Sequence, residues 1–268
     1  DNNPFMSSAS PLPWENTIPD LEQLNWEVSE EIRSLIKKKK LYPEMPLAGL
    51  ILGEPGSGKT HMLTRILRNL KFHAQFAVLV TVRAFKNPGS VIYDLLSEVM
   101  ISLSKVHSSN KLQFDILVSE VIANYKERMR NDGLSEHVPM SLYLPKHIKG
   151  LDKRVLKCFL LYASTSDENV KESILEWLRE GLDDEESLKL GLPFRDVNSM
   201  SEAGRESDSE KILVSLGLLL AYAHVPMIIC FDQLDGMKNK DLIQAWGDVI
   251  NLIMNDLFGV LPLCFVKF

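Results

Sequence analysis

Eight consecutive residues have the types and spacing needed to bind phosphate groups. They are Gly53, Glu54, Pro55, Gly56, Ser57, Gly58, Lys59 and Thr60. The glycines let the backbone wrap so that successive N–H groups point inward, where side chains would block a phosphate. Lys59 offers a mobile cation for the β and γ phosphates of a nucleotide, and the Thr60 hydroxyl can ligate Mg²⁺. The sequence therefore predicts a phosphate-binding loop over residues 53–60.

The segments on both sides of this loop are those that the motif requires. Residues 47–52 form an apolar run of strand length, and apolar residues at helical spacing follow the loop. A helix that begins near Gly58 would add the positive end of its dipole to the site. His61 is predicted to be a residue of that helix rather than a ligand, and it joins the nucleotide-binding candidates through its position beside Thr60.

A second apolar run ends in a carboxylate. Residues 227–231 predict a buried strand, and Asp232 follows it directly. A carboxylate in this position can hold Mg²⁺ through water. The pattern is common by chance, and a simple turn at the end of the strand is the alternative, but the preceding phosphate loop favours a metal-binding Asp232. Residues 74–82 predict a further strand, so strand, helix and strand give the first unit of a parallel sheet.

With these two motifs the sequence resembles AAA+ and related signal-transduction ATPases. The resemblance is greatest to the origin-recognition-like and STAND branch and to large bacterial ATPases of that type, some of them in defence systems. It rests on residues 53–60 and 232–235 and covers about residues 25–268. It implies ATP and Mg²⁺ as cofactors and a P-loop NTPase three-layer αβα sandwich with a parallel sheet. It also implies switching or remodelling work through protein partners or self-association.

The sequence departs from that family at the residue expected to handle the attacking water. The family usually has Glu directly after the metal-binding Asp, whereas Gln233 occupies this position here. A glutamine cannot take the proton, but it can orient the water. Asp235 either supplies the missing carboxylate or caps the next helix. The catalytic candidates are therefore Lys59, Gln233 and Asp235, with Thr60 and Asp232 as metal ligands.

The domain organisation follows from composition and periodicity. Residues 1–24 are polar and proline-rich and predict an irregular arm, whereas residues 25–268 predict one ATPase domain. Within that domain, residues of about 105–207 predict a helical insertion, and the acidic, serine-rich residues 202–210 predict a solvated loop. In the family a helical lid and the arginine finger would follow the last strand, which is predicted over residues 260–268. We therefore expect an N-terminal fragment of a longer protein.

Charge and cysteine usage limit the partners and the compartment. The chain has 36 acidic and 30 basic residues and a formal net charge of −6, so any nucleic-acid contact must come from a local patch. The lysines at 37–40 either complement a helix dipole or form such a patch.

The three cysteines are far apart, which is typical of the reducing cytoplasm. Residues 212–231 lack charged side chains, but Pro226 divides them into a predicted helix and strand rather than a membrane span.

These observations predict a cytoplasmic ATP-binding module that is a slow Mg²⁺-dependent ATPase. Its nucleotide state would drive assembly or conformational switching in a larger protein of a bacterial defence or nucleic-acid-associated system. Two alternatives stay open, namely a nucleotide-binding scaffold without turnover and a small-molecule or nucleotide kinase. The kinase needs an arginine-rich lid over an acceptor pocket, and the insertion has arginines without a lid signature.

Overall fold

The computed structural model describes residues 26–54, 62, 65–66, 78–82, 85, 87–106, 111–134, 138–232, 234 and 239–266. The strands in these ranges are β1 (Gly49–Leu52), β2 (Val78–Val82), β3 (Met227–Phe231) and β4 (Val260–Val266). The α-helices are α1 (Trp26–Leu41), α2 (Val91–Leu103), α3 (Gln113–Asn131), α4 (Met140–His147), α5 (Lys153–Ser164), α6 (Glu168–Arg179), α7 (Asp184–Lys189), α8 (Glu202–Ala223) and α9 (Lys240–Asn255).

The four strands form one parallel sheet in the order β1-β4-β3-β2. In register, Phe231 of β3 lies opposite Cys264 of β4, and Leu52 of β1 lies opposite Val266. The α/β class and the parallel sheet predicted from the sequence are confirmed. Because all four strands run the same way, the loops that follow them emerge at one edge of the sheet.

Helices cover both faces of the sheet. Residues 227, 229 and 231 of β3 pack into a core with α2, α8 and α9, whereas Ile228 and Cys230 pack into a second core with α1. This alternation is the period-two pattern of a strand, and every residue of β3 is buried. The arrangement is compatible with a three-layer αβα fold.

The side of the sheet on which each connection lies follows from its direction. Met62 and Ile66, between β1 and β2, belong to the core on the α1 face, and this connection crosses the sheet from β1 to the β2 edge. The connections from β2 to β3 and from β3 to β4 return in the opposite direction and pack on the other face. Right-handed crossovers that run in opposite directions must lie on opposite faces. Ligands of such sheets bind at the carboxyl ends of the strands, where the connections diverge.

The described residues between 105 and 207 consist of helices and turns and contribute no strand to the sheet. Most of this segment packs on the core that contains α2 and α8. The prediction of a solvated loop over residues 202–210 is wrong, because α8 begins at Glu202. Ser201 caps this helix by accepting a hydrogen bond from the backbone N–H of Gly204 at 3.2 Å.

The cysteines and the uncharged segment have the structures that their patterns predict. Cys158, Cys230 and Cys264 are free and buried, as expected of small apolar side chains. Residues 212–231 divide at Pro226 into the second half of α8 and strand β3. Among the described residues, no helix combines the length and the apolar character that a membrane crossing requires.

Candidate functional site

The carboxyl edge of the sheet brings two of the predicted motifs to the same side of the molecule. Gly53 and Glu54 follow β1, and Asp232 follows β3. Strand β4 lies between β1 and β3. Because neighbouring strands are about 4.8 Å apart, the two motifs begin about 10 Å from each other across the sheet. The two motifs therefore lie on the same edge of the sheet, with one strand between them.

The position of Asp232 is fixed by its backbone and by the residue before it. Its N–H donates to the carbonyl oxygen of Val82 at 3.0 Å, which extends the pairing of β3 with β2 by one residue. The Phe231 ring is fully buried and makes edge contacts with Phe85 and Trp246, each at a centroid distance of 6.4 Å. Asp232 is therefore held at the end of a rigid strand, half-buried at the sheet edge.

Strand β4 holds the start of the predicted phosphate loop in the same way. The N–H of Gly53 donates to the carbonyl oxygen of Val266 at 3.1 Å. By register, Asp232 is level with Ile51, two positions before Gly53. The loop thus begins about 7 Å beyond Asp232 along the strand direction. Along the strand direction, the Asp232 carboxylate would therefore be set back from a ligand bound by the loop.

The remaining candidate residues lie outside the described residues. They are Pro55, Gly56, Ser57, Gly58, Lys59, Thr60, His61, Gln233 and Asp235. The roles predicted for these side chains in phosphate binding, metal binding and hydrolysis stay predictions. Of the candidates, the structure places Gly53, Glu54 and Asp232, and it places all three at the carboxyl edge.

A carboxylate that the sequence did not single out supports this edge from α8. Glu206 accepts hydrogen bonds from the backbone N–H groups of Ile92 and Tyr93, both at 2.9 Å. These are among the N–H groups that the first turn of a helix leaves without an intrahelical partner. Burial raises the pKa of Glu206 above its usual value, and the two N–H groups act in the opposite direction. Glu206 thereby joins α8 to the first turn of α2.

The loop between β2 and α2 is attached to α8 by a second contact. The Asn87 side chain accepts from the N–H of Gly89 at 3.0 Å and donates to Glu202 at 3.2 Å. The acidic start of α8 is therefore used for contacts with neighbouring elements rather than for solvation. The signal in the sequence was Ser201, a good N-cap residue, followed by helix-forming Glu and Ala.

Further along α8, Asp208 connects the helix to the insertion. It accepts hydrogen bonds from Arg154 and from Arg195, both at 2.7 Å. Burial alone would raise the pKa of Asp208, but the two guanidinium groups outweigh it and hold that pKa below the usual value. Arg195 is fully buried and also donates to the carbonyl oxygen of Trp177 at 2.6 Å. The insertion is thereby bound to the helix that leads into β3.

The residues at the carboxyl edge fit a nucleotide with its metal ion in the chemistry of their donors. Asp232 offers hard carboxylate oxygens of the kind that Mg²⁺ prefers, and the glycine-rich sequence after β1 offers N–H groups. In the part of the chain that the structure describes, no three His, Cys, Asp or Glu side chains form a metal-binding group. Of the predicted metal ligands, Asp232 is the one that lies among the described residues.

No protein-family model matches the chain, and no curated protein or solved structure is significantly similar to it.

Proposed function

We propose that the chain is an ATP-binding module and a slow Mg²⁺-dependent ATPase of the AAA+/STAND type. Its nucleotide state drives assembly or conformational switching in a larger cytoplasmic protein. One observation carries the proposal. The complete sequence of a phosphate loop directly follows β1, and Asp232 follows β3 at the same edge of a parallel sheet with a single strand between them.

Each proposed residue has a distinct task. The backbone of residues 53–58 and the Lys59 ammonium bind the β and γ phosphates, while Thr60 and Asp232 hold Mg²⁺. Mg²⁺ neutralises negative charge on the phosphate oxygens when it is bound. Gln233 orients the attacking water, and Asp235 is the carboxylate that could accept its proton. His61 is predicted to be a residue of the helix that begins near Gly58.

Slow turnover follows from the glutamine. A general base contributes roughly 10²–10⁴-fold to a rate, and Gln233 has no basic oxygen for that task. The chain should therefore dwell in its ATP-bound form, which suits a switch better than a fast hydrolase. Phosphate release with ATP alone distinguishes this activity from that of a kinase, which needs an acceptor.

Steady-state phosphate release by the wild type, Gln233→Glu and Asp235→Asn tests this assignment. The wild type should release phosphate slowly and only with Mg²⁺, and Gln233→Glu should be faster. Asp235→Asn should retain turnover if Asp235 only caps a helix. Loss of turnover in Asp235→Asn with no gain in Gln233→Glu would show that Asp235 is the base. No metal-dependent release from any of the three proteins would overturn the ATPase and favour a scaffold.

A further inference from the structure

A cavity of about 420 Å³ lies at the edge of the sheet opposite the candidate nucleotide site. It is lined by segments that lead into three strands. Pro43 and Glu44 precede β1, His224 precedes β3, and Phe258 precedes β4. Strand β3 has five residues, so the two edges are about 17 Å apart. This cavity is therefore separate from the site at Asp232.

The lining of the cavity is basic. Arg128, Lys146 and Lys149 contribute three cations, whereas Glu44 is the one acidic side chain among the described residues of the lining. Within the described residues, none of these three cations forms an ion pair with a carboxylate. A local excess of positive charge on a chain of net charge −6 is the kind of patch that a polyanion requires.

The basic surface continues from the cavity onto α1. The Nδ1 atom of His224 lies 3.2 Å from the carbonyl oxygen of Lys40, so the end of α1 borders the cavity. Lys40 is exposed in the last turn of that helix, and the exposed Lys37, three residues earlier, lies on the same side of the helix. We refer to residues 37, 40, 128, 146 and 149 as the basic surface. Its five cations are more than a single phosphate group needs.

Aromatic side chains fix the floor of this surface. The Arg128 guanidinium lies over the Tyr222 ring at 4.5 Å from its centroid. Burial raises the pKa of Tyr222 to about 12, so its hydroxyl stays neutral beneath the cation. The His147 ring stacks on the Tyr143 ring at a centroid distance of 3.8 Å, while His147 itself is exposed. An exposed planar ring beside a cationic cavity is typical of surfaces that stack nucleic-acid bases.

We propose that the basic surface binds the backbone of a single-stranded nucleic acid. Successive phosphates contact the lysines of α1 and of residues 146–149, and a base stacks on His147. A single strand is favoured because it is flexible enough to place one phosphate in the concave cavity, whereas a duplex is a stiff rod. The site needs neither ATP nor Mg²⁺, so it stands apart from the proposed ATPase.

The test is the fluorescence anisotropy of a labelled oligothymidylate of about 12 nucleotides, a length within the range of such sites. It is measured without nucleotide from about 0.05 to 0.2 M salt. The variant Lys40→Gln/Lys146→Gln/Lys149→Gln removes three exposed cations of the basic surface. The control Lys153→Gln/Lys157→Gln/Lys189→Gln makes the same change in net charge on exposed lysines of α5 and α7.

For the wild type, log K should fall with log salt with a slope of roughly −3.5, because each of five phosphate contacts contributes about −0.7. The surface variant should have a slope of roughly −1.4 and bind about 100-fold more weakly at about 0.1 M salt. The control should stay close to the wild type. Circular dichroism checks that each variant folds. If the triple surface variant does not fold, the double variant Lys146→Gln/Lys149→Gln is used in its place.

Three results would overturn the proposal. They are a wild type that does not bind the oligonucleotide at the lowest salt, an equal loss of affinity in the control and surface variants, and tighter binding of a duplex of the same length. Because the assay contains no ATP, none of these results bears on the ATPase.

Discussion

Removal of the Asp208 carboxylate should strongly destabilise the fold, because it leaves a buried cation without its partner. The Arg195 side chain is fully buried and Asp208 is its carboxylate partner at 2.7 Å. Breaking a buried ion pair from one side costs about 3–5 kcal/mol. Arg195 keeps its hydrogen bond to the carbonyl oxygen of Trp177, so we expect about 4 kcal/mol for Asp208→Ala. That is a large part of the 5–15 kcal/mol typical of a domain.

The assay is equilibrium unfolding in urea, followed by tryptophan fluorescence. The indole of Trp177 is buried beside this network and donates to the carbonyl oxygen of Pro193 at 2.8 Å, so it reports on the loss of local structure. Glu185→Ala is the matched control. It breaks the exposed Lys189–Glu185 pair at 2.7 Å and should cost about 0–1 kcal/mol.

The dependence on pH provides a second readout. Because the folded-state pKa of Asp208 is held below its usual value, its contribution to stability is present above about pH 4 and is lost as the pH falls further. The free-energy difference between the wild type and Asp208→Asn should therefore shrink in acid. A cost of Asp208→Ala below about 1 kcal/mol, equal to that of the control, would refute the reasoning.

Two further predictions concern buried titratable groups. Lys39 donates to the carbonyl oxygen of Met45 at 2.7 Å, and burial lowers its pKa from 10.5 to about 8. The unfolded chain therefore binds more protons at this group, and the free energy of unfolding should rise by about 1 kcal/mol from about pH 7.5 to 9.5 in the wild type, because solvent screens part of the effect. In urea unfolding, the free energy of unfolding of Lys39→Met should lack this rise. Identical pH profiles of the wild type and Lys39→Met would contradict the prediction. Burial raises the pKa of Cys158 to about 12 and that of Cys264 to about 11, and it raises the pKa of Cys230 well above its usual value. Mass spectrometry after iodoacetamide treatment should find the three thiols unmodified in the folded chain and alkylated in guanidinium chloride. Rapid alkylation of the folded chain would show that they are accessible.

Strand β3 was predictable to the residue, whereas the start of α8 had a single local signal, the N-cap Ser201. Residues 227–231 are a continuous apolar run bounded by Pro226 and Asp232, and continuous burial is what such a run requires. The acidic residues 202–210 have the composition of a loop. They form a helix because Glu206 and Asp208 find partners on α2 and on the insertion, and such long-range contacts leave no periodic signal.

Two short helices of the insertion have weak signals in the sequence, for local reasons. Helix α4 contains Pro145, which a sequence pattern treats as a helix end, and α7 is a six-residue acidic turn capped by Asp183. The order of the strands could not be predicted. It depends on where β4 pairs, and because β4 lies between β1 and β3, one strand separates the phosphate loop from Asp232.

The most direct test of the central claim is isothermal calorimetry of ATP binding in the presence of Mg²⁺. Wild type, Lys59→Ala, Asp232→Asn and the control Lys157→Ala are compared. Wild type and Lys157→Ala should bind equally, Lys59→Ala should bind more weakly with or without the metal, and Asp232→Asn should lose chiefly the gain that Mg²⁺ provides. Equal ATP affinity of the wild type and Lys59→Ala would contradict a nucleotide site at this edge of the sheet.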